Sequence, residues 1–210
     1  MIAPAPPENP GHQEAQGCWP EPERAARASL SGHQSAAMRS EEWLTPPEIL
    51  GPLGTFHLDP CAPAVRPWDT ALRHISLPAN GLAEDWEGRV WLNPQFGSKA
   101  AKWLRKLADH GNGIALIPAR TETRMFYESV WQRADAVCFL RSRPHFCRPD
   151  GTRAPFNSGA TICLVAYGHT NVGWLQASGL GVVVRWSRSS LIDPMDGRRR
   201  IELDQLGLED

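Results

Sequence analysis

The residues best placed to do chemistry are Asn93, Pro94 and Phe96, which follow a strand-like run, Arg89 to Leu92, and precede a glycine and a helix-like pattern. In an α/β protein, ligands bind beyond the carboxyl ends of the strands. An amide, a proline carbonyl and an aromatic ring at such a mouth set polar groups beside a flat apolar surface. That combination suits a flat ligand with polar edges, such as a nucleobase. Two further polar turns stand nearby: Thr45-Pro46-Pro47 before a short apolar pattern, and Asp59-Pro60-Cys61-Ala62 after the run Thr55 to Leu58. Asp-Pro and Asn-Pro are common turn initiators, so the order and spacing of the three carry the weight, not any one of them.

The elements that must hold these turns follow from periodicity. "PEILGPLG" reads as a brief helix closed by glycine, and Thr55–Leu58, "HISL" and "GRVWLN" as short strands. "SKAAKWLRKLADHG" is a helix with Ala100, Trp103, Leu104 and Leu107 on one face and Gly111 at its end. "GIALIPA" is a near-continuous apolar strand, the pattern of a sheet covered on both faces. A helix ("TRMFYESVWQRA"), a strand ("AVCFLRS"), a loop ("HFCRPDGTRAPF") and a last buried strand ("GATICLVAYG") complete the alternation. Strands alternating with helices predict an open α/β sheet of the doubly wound kind. "NVGWLQASGLGVVV" is open between an extra helix and an edge strand.

Three parts are expected: a disordered extension over 1–39, rich in Pro, Ala, Gln, Glu and Ser; a domain over 40–170; and a partly ordered extension over 171–210. The 210 residues suffice for one such core. Net charge is −1, so no global basic field advertises nucleic acid, and any such contact must come from local clusters. Five cysteines without close pairing argue for reduced thiols in a cytoplasm. The first residues lack a basic segment followed by an apolar one, and the longest apolar runs are too short to span a bilayer. Core packing is the default account of the nine tryptophans. His57-x3-Cys61 and His145-x-Cys147 lack the paired cysteines that frame a zinc site, so no metal is expected. No nucleophile elbow, GxGxxG or Walker sequence is present, which leaves hydrolase, nicotinamide and nucleoside-triphosphate chemistry without support.

From about Glu42 to Gly168 the chain resembles the phage-type DNA N-6-adenine methyltransferase family, the small Dam-like enzymes of phages and prophages. The matching stretches are "EEWLTPPEI", "FHLDPCA", "NGLAEDWEGRVWLNPQFG", "ALIPARTETRMFYE" and "APFNSGATICLVAYG". The resemblance implies a Rossmann-like, S-adenosylmethionine-dependent methyltransferase fold, with a mostly parallel sheet and an antiparallel final strand. It implies methyl transfer to the exocyclic amine of adenine in DNA, in the cytoplasm of a bacterial host and away from any membrane. Thr45 and Pro46 match the segment near the cofactor's methionine part, and Asp59, Pro60, Cys61 and Ala62 match the turn after the first strand. Asp85 fits the place that holds the cofactor's adenine end, or is a solvated carboxylate. No clear ribose-binding carboxylate follows the second strand; Asp69 is the nearest.

Asn93, Pro94 and Phe96 match the catalytic turn, in which side-chain and backbone oxygens accept from the amine and the ring stacks on a flipped base. Gln95 stands where the family usually has a second proline, a departure that frees the backbone and adds an amide able to bind a base edge. It leaves a catalytically impaired DNA-binding or assembly protein as an alternative, and an enzyme acting on RNA is another, since an aromatic-lined pocket accepts any unstacked base. Arg120 and Thr121 are open between phosphate or base contact and a helix-start ion pair with Glu122 or Glu128. Arg141, Arg143, Arg148 and Arg153, with His145 and Phe146 among them, form the densest basic cluster, either a DNA contact or a solvated loop. Ser158 is a further substrate-binding candidate. Oligomeric state and recognition sequence are not encoded in these motifs.

Overall fold

A computed structural model describes residues 43–97 and 99–186. The expected 1–39 extension and most of the 171–210 extension lie outside the described residues.

The elements follow the expected order, with three strands in succession before the first long helix. It runs through α1 (Pro47–Leu50), which continues as a tight turn over Gly51–Leu53, then β1 (Leu58–Asp59), β2 (Arg73–His74), β3 (Val90–Leu92), α2 (Ala100–His110) and β4 (Gly113–Pro118). Next come α3 (Arg124–Phe126), widening into a π-helical turn over Tyr127–Trp131, then β5 (Ala136–Leu140), β6 (Ile162–Tyr167), α4 (His169–Ala177) and β7 (Gly181–Arg185). The stretch left open between helix and strand holds one of each. Among the described residues no helix is long and apolar enough to cross a membrane.

The seven strands form one mixed sheet in the order β2-β1-β3-β4-β6-β5-β7. β2, β1, β3 and β4 pair in parallel, while β6 runs antiparallel to both β4 and β5, and β7 antiparallel to β5. The expected antiparallel strand is therefore β6, but it is not final: β7 extends the sheet to Arg185, past the expected boundary at 170. Parallel pairing is confined to one half of the sheet.

Alternation along each strand explains why both faces are covered. Val90, Leu92, Ala115, Ile117, Cys163, Val165 and Tyr167 face one core with Leu104 and Leu107 of α2 and Phe126 of α3. Trp91, Ile114, Leu116, Ile162, Leu164 and Ala166 face the other, against α1, Leu53, and Val172 and Leu175 of α4. Each fully buried leucine of α2 contributes about 2 kcal/mol of apolar burial. Gly111, in the left-handed conformation at φ 75°, ends α2 by returning its N–H to Leu107.

The chain leaves β1 toward β2 on one side, then returns to place β3 on the other. The two connections diverge there, which makes the carboxyl ends of β1 and β3 the topological switch point of the sheet. Asp59 ends β1 and Asn93 follows β3 directly.

Candidate functional site

The sheet's direction brings most of the motif residues to one edge. β1, β3, β4 and β5 all point the same way, so Asp59–Ala62, Asn93–Phe96, Arg120–Thr121 and Arg141–Arg153 all emerge at their carboxyl ends. Ser158 precedes the antiparallel β6 and joins the same edge.

Asn93 is held from two sides. Its Nδ2 donates to the Trp43 carbonyl and to Thr45 Oγ1, both at 3.1 Å. A carbonyl can only accept, which fixes the amide's orientation and leaves Oδ1 as the side chain's acceptor. Burial, then the neighbouring Asp59 carboxylate, push the Cys61 thiol well up. Thr45 is buried, and its carbonyl accepts from Trp68 Nε1 at 3.2 Å. Its hydroxyl therefore serves Asn93, whatever else it meets. The segment stays in place because Leu44 and Cys147 exchange backbone hydrogen bonds at 2.9 Å in each direction.

Asp59 is buried beside this turn. Its Oδ1 accepts from the Cys61 N–H at 3.1 Å and its Oδ2 from Thr70 Oγ1 at 2.5 Å. Burial outweighs these bonds and pushes its carboxyl up to about 6. Neither donor is cationic, and Arg66 contributes the smallest of the opposing effects. Among the described residues the carboxylate thus has no hydrogen bond from a cationic side chain. Ala62 is buried next to it.

Gly81 supports the same turn. A Cβ there would lie 1.9 Å from the Pro60 carbonyl oxygen, so only glycine allows this approach. The connection then descends to Gly88, packed against His57 ahead of β1. Asp85 lies on that descent, exposed, with its carbonyl accepting from Arg73 Nη2 at 3.4 Å. Asp69, the ribose candidate, pairs instead with Arg66 at 3.3 Å and faces His74 at 3.8 Å.

Phe96 is half-buried and meets Phe146 edge-on, with ring centroids 6.1 Å apart. Phe146 is buried at the root of the arginine loop, so that loop is packed onto the Asn93–Phe96 turn. Arg141, Arg143, Arg148 and Arg153 are all exposed on it, and so is Gln95 on the turn itself. Asp150 caps the loop's tip by accepting from the Thr152 N–H and hydroxyl. Ser158 is turned inward: its hydroxyl donates to the Ala160 carbonyl at 2.8 Å and its N–H to Pro144 at 2.8 Å. It braces the loop from beneath.

Arg120 and Thr121 are exposed just past β4. The expected ion pair with Glu128 is made by other residues, Arg124 at 2.6 Å and Arg105 at 3.5 Å. Thr123 caps α3, its hydroxyl accepting from the Phe126 N–H. Among the described residues no group of three or more His, Cys, Asp or Glu side chains gathers in a metal-binding cluster.

Several contributors had little or no sequence signature. Thr70 lies in a stretch with no motif, Trp43 sat inside a matched stretch without a role, and Phe146 stood out only as an aromatic among arginines. Gly81 sat inside a matched stretch without a role. No family model, curated protein or solved structure matches this chain, so the geometry of this edge carries the functional reading.

Proposed function

We propose that the protein transfers a methyl group from S-adenosylmethionine to the exocyclic amine of adenine in DNA. The observation that carries this reading is the restrained Asn93 amide, set at the switch point of the sheet with Asp59 on one side and Phe96 on the other. An exocyclic amine is a poor nucleophile, because its lone pair is delocalised into the ring. Asn93 Oδ1 and the Pro94 carbonyl would accept from its two hydrogens and stabilise the positive charge that develops on nitrogen. These dipoles need no reorganisation, because Thr45 and Trp43 already orient the amide. Phe96 would stack on the base, which must leave the duplex to reach the turn. Asp59 would hold the cofactor's ammonium, and Ala62 leaves room for close approach. The cofactor supplies an electrophilic methyl group, so no covalent intermediate or metal is required.

The test is transfer of labelled methyl from S-adenosylmethionine to unmethylated duplex DNA, with Asn93→Ala alongside. Label recovered as N6-methyladenine, and reduced roughly a hundredfold or more in the variant, is the expected result. Binding of cofactor and DNA without transfer by either protein would overturn the enzymatic reading in favour of a binding protein altered through Gln95. Label appearing only in RNA would move the activity to that substrate.

A further inference from the structure

Phe156 is an aromatic side chain that the fold leaves outside. It is 79% exposed, the second most exposed large apolar side chain among the described residues. Its loop is nevertheless anchored on both sides: the Ala154 N–H donates to Phe146 at 2.8 Å and the Ser158 N–H to Pro144 at 2.8 Å. The ring is therefore presented by a braced turn. Three residues before it stands Arg153, and Arg141, Arg143 and Arg148 are exposed on the same loop, with Asp150 the loop's acidic side chain. At the loop's root Phe146 touches Phe96 of the Asn93 turn. An exposed ring costs apolar hydration unless something covers it. The four arginines define that cover as polyanionic, and its apolar part must accept a flat ring.

We propose that Phe156 is the wedge that enters the DNA base stack when the target base is extruded, while the arginines hold the flanking phosphates. This rests on the methyl-transfer reading for its purpose, but the wedge itself is a DNA-binding property. Apolar side chains inserted between base steps unstack and unwind a duplex. Extrusion from a duplex requires that the vacated space be stabilised, whereas an already single-stranded base needs no such help. Phe156 thus governs the choice between duplex and single strand.

Two measurements with the full chain test this. In the first, methyl transfer is compared on unmethylated duplex DNA and on the same DNA heat-denatured, for wild type, Phe156→Ala and Phe156→Leu. Phe156→Ala is expected to lose about tenfold on duplex and less than twofold on denatured DNA, with Phe156→Leu retaining most of the duplex rate. Equal losses on both substrates, or no loss on duplex, would overturn the wedge. In the second, nicked plasmid is ligated in the presence of saturating protein and its topoisomers are resolved. Wild type is expected to shift the linking number and Phe156→Ala to shift it little, with gel-shift affinity within threefold. Unwinding without methylation keeps the wedge and sinks the enzymatic reading; methylation of duplex without unwinding does the reverse.

Discussion

Thr45 and Asn93, 48 residues apart in the chain, are joined by a 3.1 Å hydrogen bond from the Asn93 amide to the Thr45 hydroxyl. The bond couples the segment before α1 to the turn after β3, at the carboxyl edge of the sheet. Its consequence is orientational: with Nδ2 donating to Thr45 and Trp43, Asn93 Oδ1 is the acceptor offered to a ligand.

Replacing that hydroxyl while keeping its shape isolates the effect. Thr45→Val should lower kcat by about five- to tenfold, the cost of one hydrogen bond at about 1 kcal/mol, and leave cofactor affinity near wild type. Thr45→Ser should restore kcat. Steady-state kinetics with calorimetric cofactor titration decide it. Weakened cofactor binding at unchanged kcat would mean that Thr45 acts on the cofactor instead.

Asp59 makes stability depend on pH with a definite sign, and under the proposed function cofactor binding as well. Burial raises its carboxyl to about 6 from 3.8, so between these values the native state binds more protons than the unfolded one. Stability therefore falls as pH rises from about 4 to about 6, and the deficit persists above. At about 1.4 kcal/mol per pH unit its upper bound is about 3 kcal/mol. Asp59→Asn should melt higher than wild type at pH 8 and lose that advantage near pH 4. If the carboxylate holds an ammonium, wild-type affinity for S-adenosylmethionine should drop about tenfold per pH unit below 6, and the variant should bind weakly at every pH. A flat wild-type profile would remove Asp59 from the cofactor site.

Local pattern made some of this architecture legible and hid the rest for a physical reason. β4 and β6 were readable because six consecutive buried residues each leave an apolar run that nothing polar interrupts. β1 was misplaced, expected at Thr55–Leu58 and found at Leu58–Asp59, because two residues cannot display a period. The insertion of β6 between β4 and β5 lies in pairing between distant segments, to which a one-dimensional pattern is blind. Within the site, turn chemistry marked Asp59 and Asn93. The partners that fix them, Thr70 and the Trp43 carbonyl, act through a common hydroxyl and a backbone oxygen that any sequence could supply. "GVVVR" was β-branched enough to suggest a strand, but Gly173 within α4 blurred the helix before it.

Lys106 holds the connection that backs the Asp59 turn. Its ammonium donates to the carbonyls of Leu82 at 2.9 Å, Glu84 at 2.5 Å and Gly81 at 3.4 Å, and lies 5.0 Å from the Trp86 ring centre. Gly81 in turn presses on Pro60. Lys106→Met keeps much of the stem and removes the charge, leaving three carbonyls to find water. A loss of about 1–3 kcal/mol is expected, seen as a melting temperature lower by several degrees. Cofactor affinity should weaken severalfold, because the turn loses its support, while DNA affinity stays near wild type. A variant that melts lower with cofactor affinity intact would confine Lys106 to stability.

The arginine loop predicts how DNA binding responds to salt. Each cation that neutralises a phosphate releases about one counterion, so removing it lowers the slope of log affinity against log salt by about 0.9. Arg143→Ala and Arg148→Ala, both exposed on the loop, should each reduce the slope by roughly one and weaken binding most at low salt. Arg105→Ala is the control, because that side chain projects from α2 toward Glu128 at 3.5 Å, away from the loop. It should change neither slope nor affinity. The effect on binding should also be indifferent to sequence, since phosphates are alike at every step, whereas loss of a base contact would alter which adenines are modified. Fluorescence anisotropy on a labelled duplex from about 50 to about 500 mM salt, one decade that includes the physiological value, reads both quantities. Equal slopes for the two loop variants and wild type would show that the loop is only solvated, and would shift the search for the DNA contact to Arg120 at the end of β4.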